Sequence, residues 1–490
     1  MKVRTLTAKT LFLAFGKILA AFAVIGITAI LTRLLTKQEY ATHKQALMIY
    51  AMLAPALGLG LPKALYYFLP GEHKRPRAIL LENLLVLGIL GAAFAAFMMF
   101  GGGVFFAQHF ENAQLAELAP VVALYGVCMV PMAALGPTMM ARDRVGTLVW
   151  FQIGGQASLI LMVAISAYLW TTPSATISAY ACWSFGACVL ALTLMLRSTA
   201  LSAEYRPTFG GMKSQLAYGI PLGLAGMFGG LSAQIDKYMV SVMCTTEDFA
   251  IYVTGAVELP LIGVVTGAMN AVVLPELAKS YKAGNLQYIR RLWQRAMNKA
   301  ILVIAPAMFV VLLFGSELIV FLFSASYEAA AEPFKVYALS LPLRAAVYGS
   351  VLMATNRTRW VTISAIIGLA MNALLNWVFV NWMGYTGAAW ASVITTYGVV
   401  LTMLVPMCFA LKTTLAELFD WAHLGKVALA TVGPALAVYL CLPLLPWAGV
   451  VKLFGGTAVY GVGVLGAYRA FGIGTLSDIA AFLKRQKTDG

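Results

Sequence analysis

Charged side chains inside long apolar segments are the residues of this chain most able to do chemistry. Lys17, Lys63 and Arg344 are the basic members of this set, and Glu258 and Asp236 are the acidic ones. A charge at the centre of a bilayer costs ~2.5–3.5 kcal/mol on insertion scales, so such a residue normally faces a cavity or a partner. Basic groups in a cavity would bind an anion, whereas a deep carboxylate could take up a proton or a cation.

Lys17 and Lys63 come to a similar depth on two neighbouring segments. Counting ~1.5 Å per helical residue, Lys17 lies roughly 10 Å and Lys63 roughly 9 Å from the same predicted surface. Gly16 precedes Lys17 and Pro62 precedes Lys63, and both residue types allow a ligand or a backbone to approach. The alternatives are that both ammonium groups snorkel to the inner headgroups, or that Glu82 neutralises one of them.

The remaining deep charges suggest two pairs of neighbours. Arg344 and Glu258 are predicted near the midplane of the tenth and eighth segments, and we expect them to pair, either for coupling or for structure alone. Asp236 and Lys237 are adjacent near the outer end of the seventh segment. Neighbouring residues on a helix point about 100° apart, which predicts different partners. We expect Lys237 to snorkel and Asp236 to be a cation or proton site.

Two pairs of amides recur at helical spacing. Gln152 and Gln156 share one face of the fifth segment, and Asn372 and Asn376 share one face of the eleventh. These amides, together with Lys237, could line a hydrophilic lumen, although interhelical hydrogen bonds explain the amides equally well.

The six cysteines and four histidines do not have the spacing of metal ligands. We therefore expect neither a metal site nor a disulfide, and no cofactor beyond a coupling ion.

The residues above lie in fourteen apolar segments. The chain is 61% hydrophobic and 11% charged, with a mean hydropathy of +0.84, which is typical of a multi-pass membrane protein. Each segment is long enough for a transmembrane helix. The segments cover residues 10–31, 45–69, 78–106, 118–141, 146–170, 174–197, 215–240, 249–274, 298–323, 333–355, 360–381, 385–411, 424–445 and 450–471.

The Lys and Arg residues sort to one side of these segments. Of the 34, five fall in loops on the other side and four lie inside segments. Loops rich in Lys and Arg stay in the cytoplasm, so we predict an all-α protein with fourteen spans and both termini cytoplasmic. The net charge of +15 then reflects contact with anionic membrane lipids. Nucleic acid is excluded as a partner because the cations are divided among short loops.

An internal repeat divides the chain. The stretch 36–41 matches 245–250, 209 positions later, and the stretch 140–144 matches 353–357, 213 positions later. This offset spans six segments, which predicts two parallel six-helix lobes related by an axis along the membrane normal. We place the N-terminal lobe at 1–213 and the C-terminal lobe at 214–411. Residues 412–490 would hold helices 13 and 14 and a cytoplasmic amphipathic segment.

Two basic stretches have helical amphipathic patterns. They are Asn285–Met297 and Ser477–Lys487. Basic amphipathic helices lie on anionic membrane surfaces, so both are predicted to be interfacial helices on the inner leaflet.

The pattern resembles the multidrug/oligosaccharidyl-lipid/polysaccharide flippase superfamily, and specifically its polysaccharide flippases, which include Wzx-type O-antigen transporters. The resemblance covers the layout of spans one to twelve. It is carried by the stretches Leu31–Tyr40, Ile235–Tyr238, Thr246–Tyr252 and Leu274–Ala278.

The resemblance implies a V-shaped pair of six-helix lobes around a lumen that opens alternately to either side. It also implies a polyprenyl-diphosphate-linked oligosaccharide as substrate, with Lys17, Lys63 and Arg344 as the cations that bind the diphosphate. The related lipid II flippases have arginine-rich first spans, whereas Lys17 and Lys63 are lysines, so that subfamily is a poorer match.

The leading hypothesis is a flippase, not an enzyme, that carries this lipid from the inner to the outer leaflet of the bacterial cytoplasmic membrane for cell-surface polysaccharide such as lipopolysaccharide. Glu258 or Asp236 would bind the coupling H+ or Na+. A polysaccharide polymerase and chain-length machinery are its expected partners.

Two alternatives differ in chemistry. An ion-coupled multidrug antiporter of the same superfamily would favour an acidic lumen, but the deep cations outnumber the deep acids. A membrane polysaccharide polymerase or glycosyltransferase would need sizeable loops or a DxD-type acidic pair, and this chain has neither.

Overall fold

The computed structural model describes residues 6–199, 205–257, 259–444 and 446–473, and the regular structure in that part of the chain is entirely helical. The predicted all-α class is therefore confirmed. The α-helices of the described residues are α1 (Leu6–Leu34), α2 (Lys37–Gly58), α3 (Leu61–Phe68), α4 (Pro76–Phe97), α5 (Gly103–His109), α6 (Gln114–Met132), α7 (Leu135–Ala141), α8 (Val145–Trp170), α9 (Pro173–Ser198), α10 (Phe209–Ser232), α11 (Ile235–Met243), α12 (Thr246–Gly255), α13 (Pro260–Lys282), α14 (Leu286–Leu322), α15 (Ala331–Ala338), α16 (Tyr348–Ala354), α17 (Thr358–Met383), α18 (Tyr385–Leu411), α19 (Leu415–Leu418), α20 (Trp421–Cys441) and α21 (Gly449–Ala470).

The helices are those of a multi-pass membrane protein. Within the described residues, nine helical stretches are long and apolar enough to cross a membrane, and up to twelve if each bent pair counts as one span. Each of the predicted apolar segments overlaps a helix or an interrupted helix. The number of fourteen spans and the cytoplasmic position of both termini stay predictions.

Contacts divide the chain into two compact units. The first holds the described residues 11–250, and the second holds those from 251 onward together with residues 6–10. Helices α10 and α11 therefore pack within the first unit. The lobe boundary after residue 213 rests on the internal repeat rather than on packing, and it stays a prediction.

The first repeated motif forms the same helix cap twice. At the start of α2, the Thr36 backbone N–H donates to Glu39 at 2.8 Å, and the Glu39 backbone N–H donates to the Thr36 hydroxyl at 3.3 Å. At the start of α12, Thr245 and Asp248 make the corresponding bonds at 3.3 and 3.1 Å. These are capping boxes, so the sequence repeat corresponds to a repeat of local structure.

The second repeated motif forms the same turn twice. Asp143 and Asn356 have φ angles of +55° and +57°, a left-handed conformation that Asp and Asn tolerate better than most residues. The next residue closes the turn in both places: the Arg144 N–H donates to the Met139 carbonyl at 2.7 Å, and the Arg357 N–H donates to the Leu352 carbonyl at 2.8 Å. Both turns end a helix with the six-to-one bond of a Schellman motif.

Glycine brings the interruption between α2 and α3 directly against α10. Gly60 has a φ of +70°, and a Cβ atom there would lie 2.1 Å from the Gly219 carbonyl oxygen and 2.7 Å from the Gly223 nitrogen. Gly219 and Gly223 are four positions apart on one face of α10, the spacing that allows two backbones to approach closely. The chain direction at this interruption is therefore fixed relative to α10.

A buried carboxylate joins α4 to the N-terminus of α10. Glu82 is 1% exposed, and its Oε1 accepts hydrogen bonds from the Thr208 N–H at 2.9 Å, the Thr208 hydroxyl at 2.8 Å and Arg75 Nη2 at 3.1 Å. Gln215 Nε2 donates to the other oxygen at 3.2 Å. An anion at a helix N-terminus is stabilising. The described partners of Glu82 are thus a loop arginine and α10, not the lysine of the second segment.

The loop between α3 and α4 is held by its own carboxylate. The backbone N–H groups of Arg75 and Lys74 donate to Glu72 at 3.0 and 2.7 Å, and these bonds hold the pKa of the Glu72 carboxyl below its ordinary value. The Glu72 carbonyl accepts from Arg142 at 3.3 Å, which ties this loop to the end of α7.

The prediction of a separate interfacial helix over Asn285–Met297 is wrong. The stretch is helical, but it forms the first third of the 37-residue helix α14. Its apolar face packs against protein: Trp293 is fully buried, and its ring lies 5.9 Å from that of Tyr348 and 5.6 Å from that of Phe419. An amphipathic pattern does not distinguish a lipid surface from a protein surface. The second predicted helix, Ser477–Lys487, lies outside the described residues.

We predict that Gly60→Ala lowers the stability of the protein. The substitution places a Cβ atom in the α10 backbone and forces a left-handed conformation, which costs about 1–3 kcal/mol for a residue other than glycine. The melting temperature of the purified protein in detergent measures the effect. Gly58→Ala is the matched control, because its Cβ would meet no atom within 4 Å. Equal melting temperatures for the two variants would contradict the close approach to α10.

We also predict that Glu82→Gln destabilises the first unit. The amide keeps the shape of the side chain but removes the charge that pairs with Arg75 and faces the N-terminus of α10, where hydrogen bonds to a charged group contribute about 1.5–3 kcal/mol. Thermal unfolding should shift to lower temperature. Glu117→Gln, at an exposed position in the first turn of α6, should give a smaller shift because solvent screens its charge, and an equal shift in both variants would argue against a specific role of Glu82.

Candidate functional site

Three interruptions in the apolar helices each carry charges that the sequence placed within the membrane. The chain bends by 41° between α2 and α3 and by 40° between α10 and α11. It bends by 51° between the helical stretches Ala325–Ala338 and Leu341–Ala354. Lys63 is the third residue of α3. Asp236 and Lys237 lie in the first turn of α11. Arg344 belongs to the 3₁₀ turn that precedes α16. Irregular backbone at membrane depth is tolerated where protein or a water-filled cavity satisfies it, so these charges lie where the chain is already polar.

Lys63 directs its ammonium group along α10. Its side chain is exposed, and a Cβ atom on Gly226 would lie 3.3 Å from Lys63 Nζ. Gly219 of α10 contacts the interruption at Gly60, and Gly226 lies seven residues further along α10. The Lys63 Nζ atom is therefore ~10 Å further from the N-terminus of α10 than the Gly60–Gly219 contact is. The ammonium therefore points away from the end of α10 that is predicted to be cytoplasmic, whereas snorkelling to the inner headgroups would direct it toward that end.

The ammonium of Lys63 has no carboxylate partner among the residues that the structure describes. No described ion pair within 4 Å includes it. A lysine that is exposed, unpaired and located in an apolar segment is available for an anion from outside the protein.

An aromatic pair beside Lys63 was not predicted from the sequence. The rings of Tyr67 and Tyr218 stack at 4.7 Å with an interplanar angle of 18°, and Phe68 packs edge-on against Tyr218. Tyr67 is 64% exposed and Tyr218 is 40% exposed. Tyr67 is four positions after Lys63 and so lies on the same face of α3. Residues this far apart in the chain could not be paired from spacing alone.

Asp236 and Lys237 pair with each other, where the sequence predicted separate partners, and Asp236 also has a further interaction partner. Asp236 is 4% exposed, and Lys237 Nζ lies 3.5 Å from its Oδ1. Lys237 also donates to the Ala233 carbonyl at 3.0 Å, the acceptor left at the end of α10. Because the long lysine side chain folds back over the first turn of α11, the two charges neutralise each other.

Arg344 lies in a 3₁₀ turn, Leu341–Ala345, and not inside a continuous helix as its position in the tenth segment had implied. It is partly buried, and it has an interaction partner. Glu258, its predicted partner, lies outside the described residues. Helix α12 ends at Gly255 and α13 begins at Pro260. The pairing of Arg344 with Glu258 stays a prediction.

The four amides lie in helices of different units. Asn372 and Asn376 are buried on α17, where the Asn376 amide donates to the Asn372 carbonyl at 2.8 Å and to its side-chain oxygen. These two amides therefore bond within one helix. Gln152 and Gln156 are half-buried on α8, and a Cβ atom on Gly16 would lie 3.0 Å from Gln152 Oε1. Their role as lining residues stays a prediction.

Lys17 lies on α1, but its side chain falls outside the described part of the structure. The described part places Lys63 and Tyr67 on one face of α3, stacks Tyr67 on Tyr218, and pairs Asp236 with Lys237. It holds no cluster of three or more His, Cys, Asp or Glu residues that could bind a metal ion.

Comparisons with solved structures identify the fold. The lipid II flippase MurJ, in an inward closed conformation, is similar with a TM-score of 0.73 and 18% identity, over 94% of this chain and 99% of that one. An inward-facing multidrug resistance MATE family transporter gives a TM-score of 0.63 and 14% identity, over 81% and 96%. A transporter of the same superfamily from Pyrococcus furiosus gives 0.59 and 15%, over 83% and 97%. At these identities the likeness establishes the fold alone.

A search of curated protein sequences found no match. The family described as polysaccharide biosynthesis protein matches residues 30–332, more than half of the chain. That range includes Lys63, Asp236 and Lys237 together with the interruptions that carry them. The chain belongs to the polysaccharide biosynthesis protein family, and it shares the fold of these transporters.

Proposed function

We propose that this protein is a flippase for a polyprenyl-diphosphate-linked oligosaccharide. It moves the lipid from the inner to the outer leaflet of the bacterial cytoplasmic membrane by alternating access of two six-helix lobes. The transported glycan serves cell-surface polysaccharide synthesis, such as that of O-antigen in lipopolysaccharide. A polysaccharide polymerase and chain-length machinery act on it afterwards.

The observation that carries the proposal is the exposed ammonium of Lys63 at a helix interruption, with no carboxylate partner among the described residues. A diphosphate that is esterified at both ends is a dianion with several acceptor oxygens, and lysine binds phosphate as a point charge. Moving such a headgroup through a membrane requires fixed cations in place of the water that it loses. Lys63 offers one cation on α3. Lys17 on α1 and Arg344 in the second unit are the further cations proposed from the sequence.

The stacked tyrosines support a sugar as the neighbouring group. The apolar face of a pyranose ring packs against aromatic faces, and Tyr67 has an exposed ring on the same side of α3 as Lys63. Tyr218 is eight positions before Gly226 on α10, or ~12 Å nearer the helix N-terminus. An ammonium deep in the helix and an aromatic platform nearer its N-terminus match the order of diphosphate and sugar in such a lipid.

The balance of charge separates this proposal from a drug-cation antiporter. A cationic drug would be repelled by Lys63, and the acid Asp236 is already neutralised by Lys237. Uptake of a cationic dye in place of a lipid diphosphate would favour the antiporter.

We predict that Lys17→Ala combined with Lys63→Ala abolishes flipping. The probe is fluorescent undecaprenyl-diphosphate N-acetylglucosamine in proteoliposomes. A membrane-impermeant quencher removes the fluorescence of lipid in the outer leaflet, so the fraction of fluorescence lost measures translocation. Lys63→Ala alone should slow flipping about tenfold or more, because a hydrogen bond to a charged group contributes about 1.5–3 kcal/mol. Lys63→Arg should retain most of the activity.

The matched control removes the same charge elsewhere. Lys74→Ala combined with Lys282→Ala alters two exposed lysines in predicted cytoplasmic loops and should flip at the wild-type rate. Unchanged flipping by the folded Lys17/Lys63 variant would refute the headgroup role.

We predict that Tyr67→Ala discriminates between lipids with and without a sugar. Aromatic contacts contribute about 0.5–1.5 kcal/mol, so the variant should flip undecaprenyl-diphosphate N-acetylglucosamine about threefold to tenfold more slowly. It should flip undecaprenyl diphosphate at the wild-type rate, and Tyr67→Phe should behave as wild type. Tyr66→Ala, at a neighbouring exposed tyrosine that contacts Met140 instead, is the control. Equal slowing for both lipids would show that Tyr67 only anchors α3.

A further inference from the structure

A histidine is fully buried in the first unit and takes no part in the substrate site. His43 is in α2, seventeen residues before the Gly60 interruption, and is 0% exposed. Its Nδ1 lies 2.8 Å from the Thr176 hydroxyl of α9. Its ring packs edge-on against Tyr180 at 5.4 Å. Histidine changes charge between about pH 5 and 8, so a buried one can report the pH on either side of a membrane.

The hydrogen bonds assign the proton of the neutral ring. The Thr176 hydroxyl donates its single hydrogen to the Pro173 carbonyl at 3.0 Å. With that hydrogen bonded to Pro173, the Thr176 oxygen accepts from His43, and we assign the hydrogen to Nδ1 and a lone pair to Nε2 on this basis. Nε2 is buried and has no hydrogen-bond partner among the described residues. The ring thus holds a buried proton acceptor without a described partner.

The surroundings oppose a second proton in this packing. Lys44 is the neighbouring charge; its ammonium donates to Thr28 at 3.3 Å and lies over the Tyr40 ring. The titratable neighbours of His43 on other helices are neutral phenols. Tyr180 of α9 contacts the ring, and Tyr180 is in turn close to Tyr40 of α2 and to Tyr125 of α6. An imidazolium here would be desolvated next to a like charge, and both effects disfavour it.

We propose that His43 is the proton-binding site that couples transport to the proton gradient. This inference rests on the proposed function and selects H+ over Na+ as the coupling ion. Protonated His43 requires water or a new partner at Nε2, so proton binding favours a conformation in which α2 and α9 separate. The neutral ring favours the closed packing of α2 against α9. A ligand that binds one of two conformations better shifts the population toward it, and the proton is that ligand.

The test uses the full-length protein with His43→Gln, whose amide can still donate to Thr176. The control is His109→Gln, since His109 is exposed at the end of α5 and bonds only to the Phe105 carbonyl of its own helix. In proteoliposomes, acidifying the outer side should speed flipping of fluorescent undecaprenyl-diphosphate N-acetylglucosamine about fivefold or more in wild type and in His109→Gln, the low end of usual coupling strengths. His43→Gln should flip at one rate with or without the gradient. A gradient response that persists in His43→Gln, or a wild-type response to Na+ alone, overturns the inference.

A second measurement does not depend on the lipid. Hydrogen–deuterium exchange of α2 and α9 peptides, corrected for intrinsic pH dependence, should increase between pH 8 and 5 in wild type and in His109→Gln, across the range where histidine titrates. His43→Gln should show no increase. If no form flips the lipid but exchange behaves as expected, the proposed substrate fails and the proton site stands. Equal exchange in wild type and His43→Gln overturns the proton site.

Discussion

The structure depends on how charged groups are accommodated in apolar helices. A charge at the membrane centre costs ~2.5–3.5 kcal/mol on insertion scales, and a regular helix offers it no acceptor because the backbone groups are paired. At an interruption, the last backbone carbonyls of the preceding helix have no partner within that helix and can accept a hydrogen bond. Lys237 illustrates this, since its ammonium donates to Ala233 at the end of α10 while it pairs with Asp236 at the start of α11. Lys63 and Arg344 lie at the other two bends. These three cations of the apolar segments therefore lie at broken backbone, and at Lys237 a freed carbonyl satisfies the ammonium.

An interruption is useful as a site only if it is rigid. The bend between α2 and α3 is fixed by the contact of Gly60 with Gly219 and Gly223, which leaves no room for any other residue type. The N-terminus of the same α10 is held by Glu82. A cation on α3 and an aromatic platform shared by α3 and α10 are thus mounted on a frame fixed at two points. A binding site benefits from this preorganisation, because ordering mobile side chains on binding costs free energy and so weakens the affinity for the ligand.

Features that arise from local chemistry were predictable from the sequence. The repeated Thr-x-x-acid motifs at residues 36 and 245 form the same cap, and Asp143 and Asn356 form the same turn, because each signal acts within a few residues. The all-helical class and the membrane segments were predictable from hydropathy.

The bends were not predictable, because hydropathy continues unchanged across them. The pairing of Asp236 with Lys237 was not predicted, since the sequence does not show that the lysine side chain folds back over the first turn of α11. Trp293 was assigned to lipid because the pattern cannot show what the apolar face contacts. The stack of Tyr67 on Tyr218 and the burial of His43 depend on contacts between distant segments, which spacing does not encode.

The order of features along α2 and α3 gives the proposed proton site a route to the proposed anion site. His43 lies before the interruption and Lys63 after it, and the residue between them that cannot move freely is Gly60, packed into α10. In the proposed conformation in which α2 leaves α9, Gly60 stays packed against α10 and is therefore the fixed point between the two sites. The displacement of α2 is then confined to the residues before Gly60, so the rigid frame that holds Lys63 is kept.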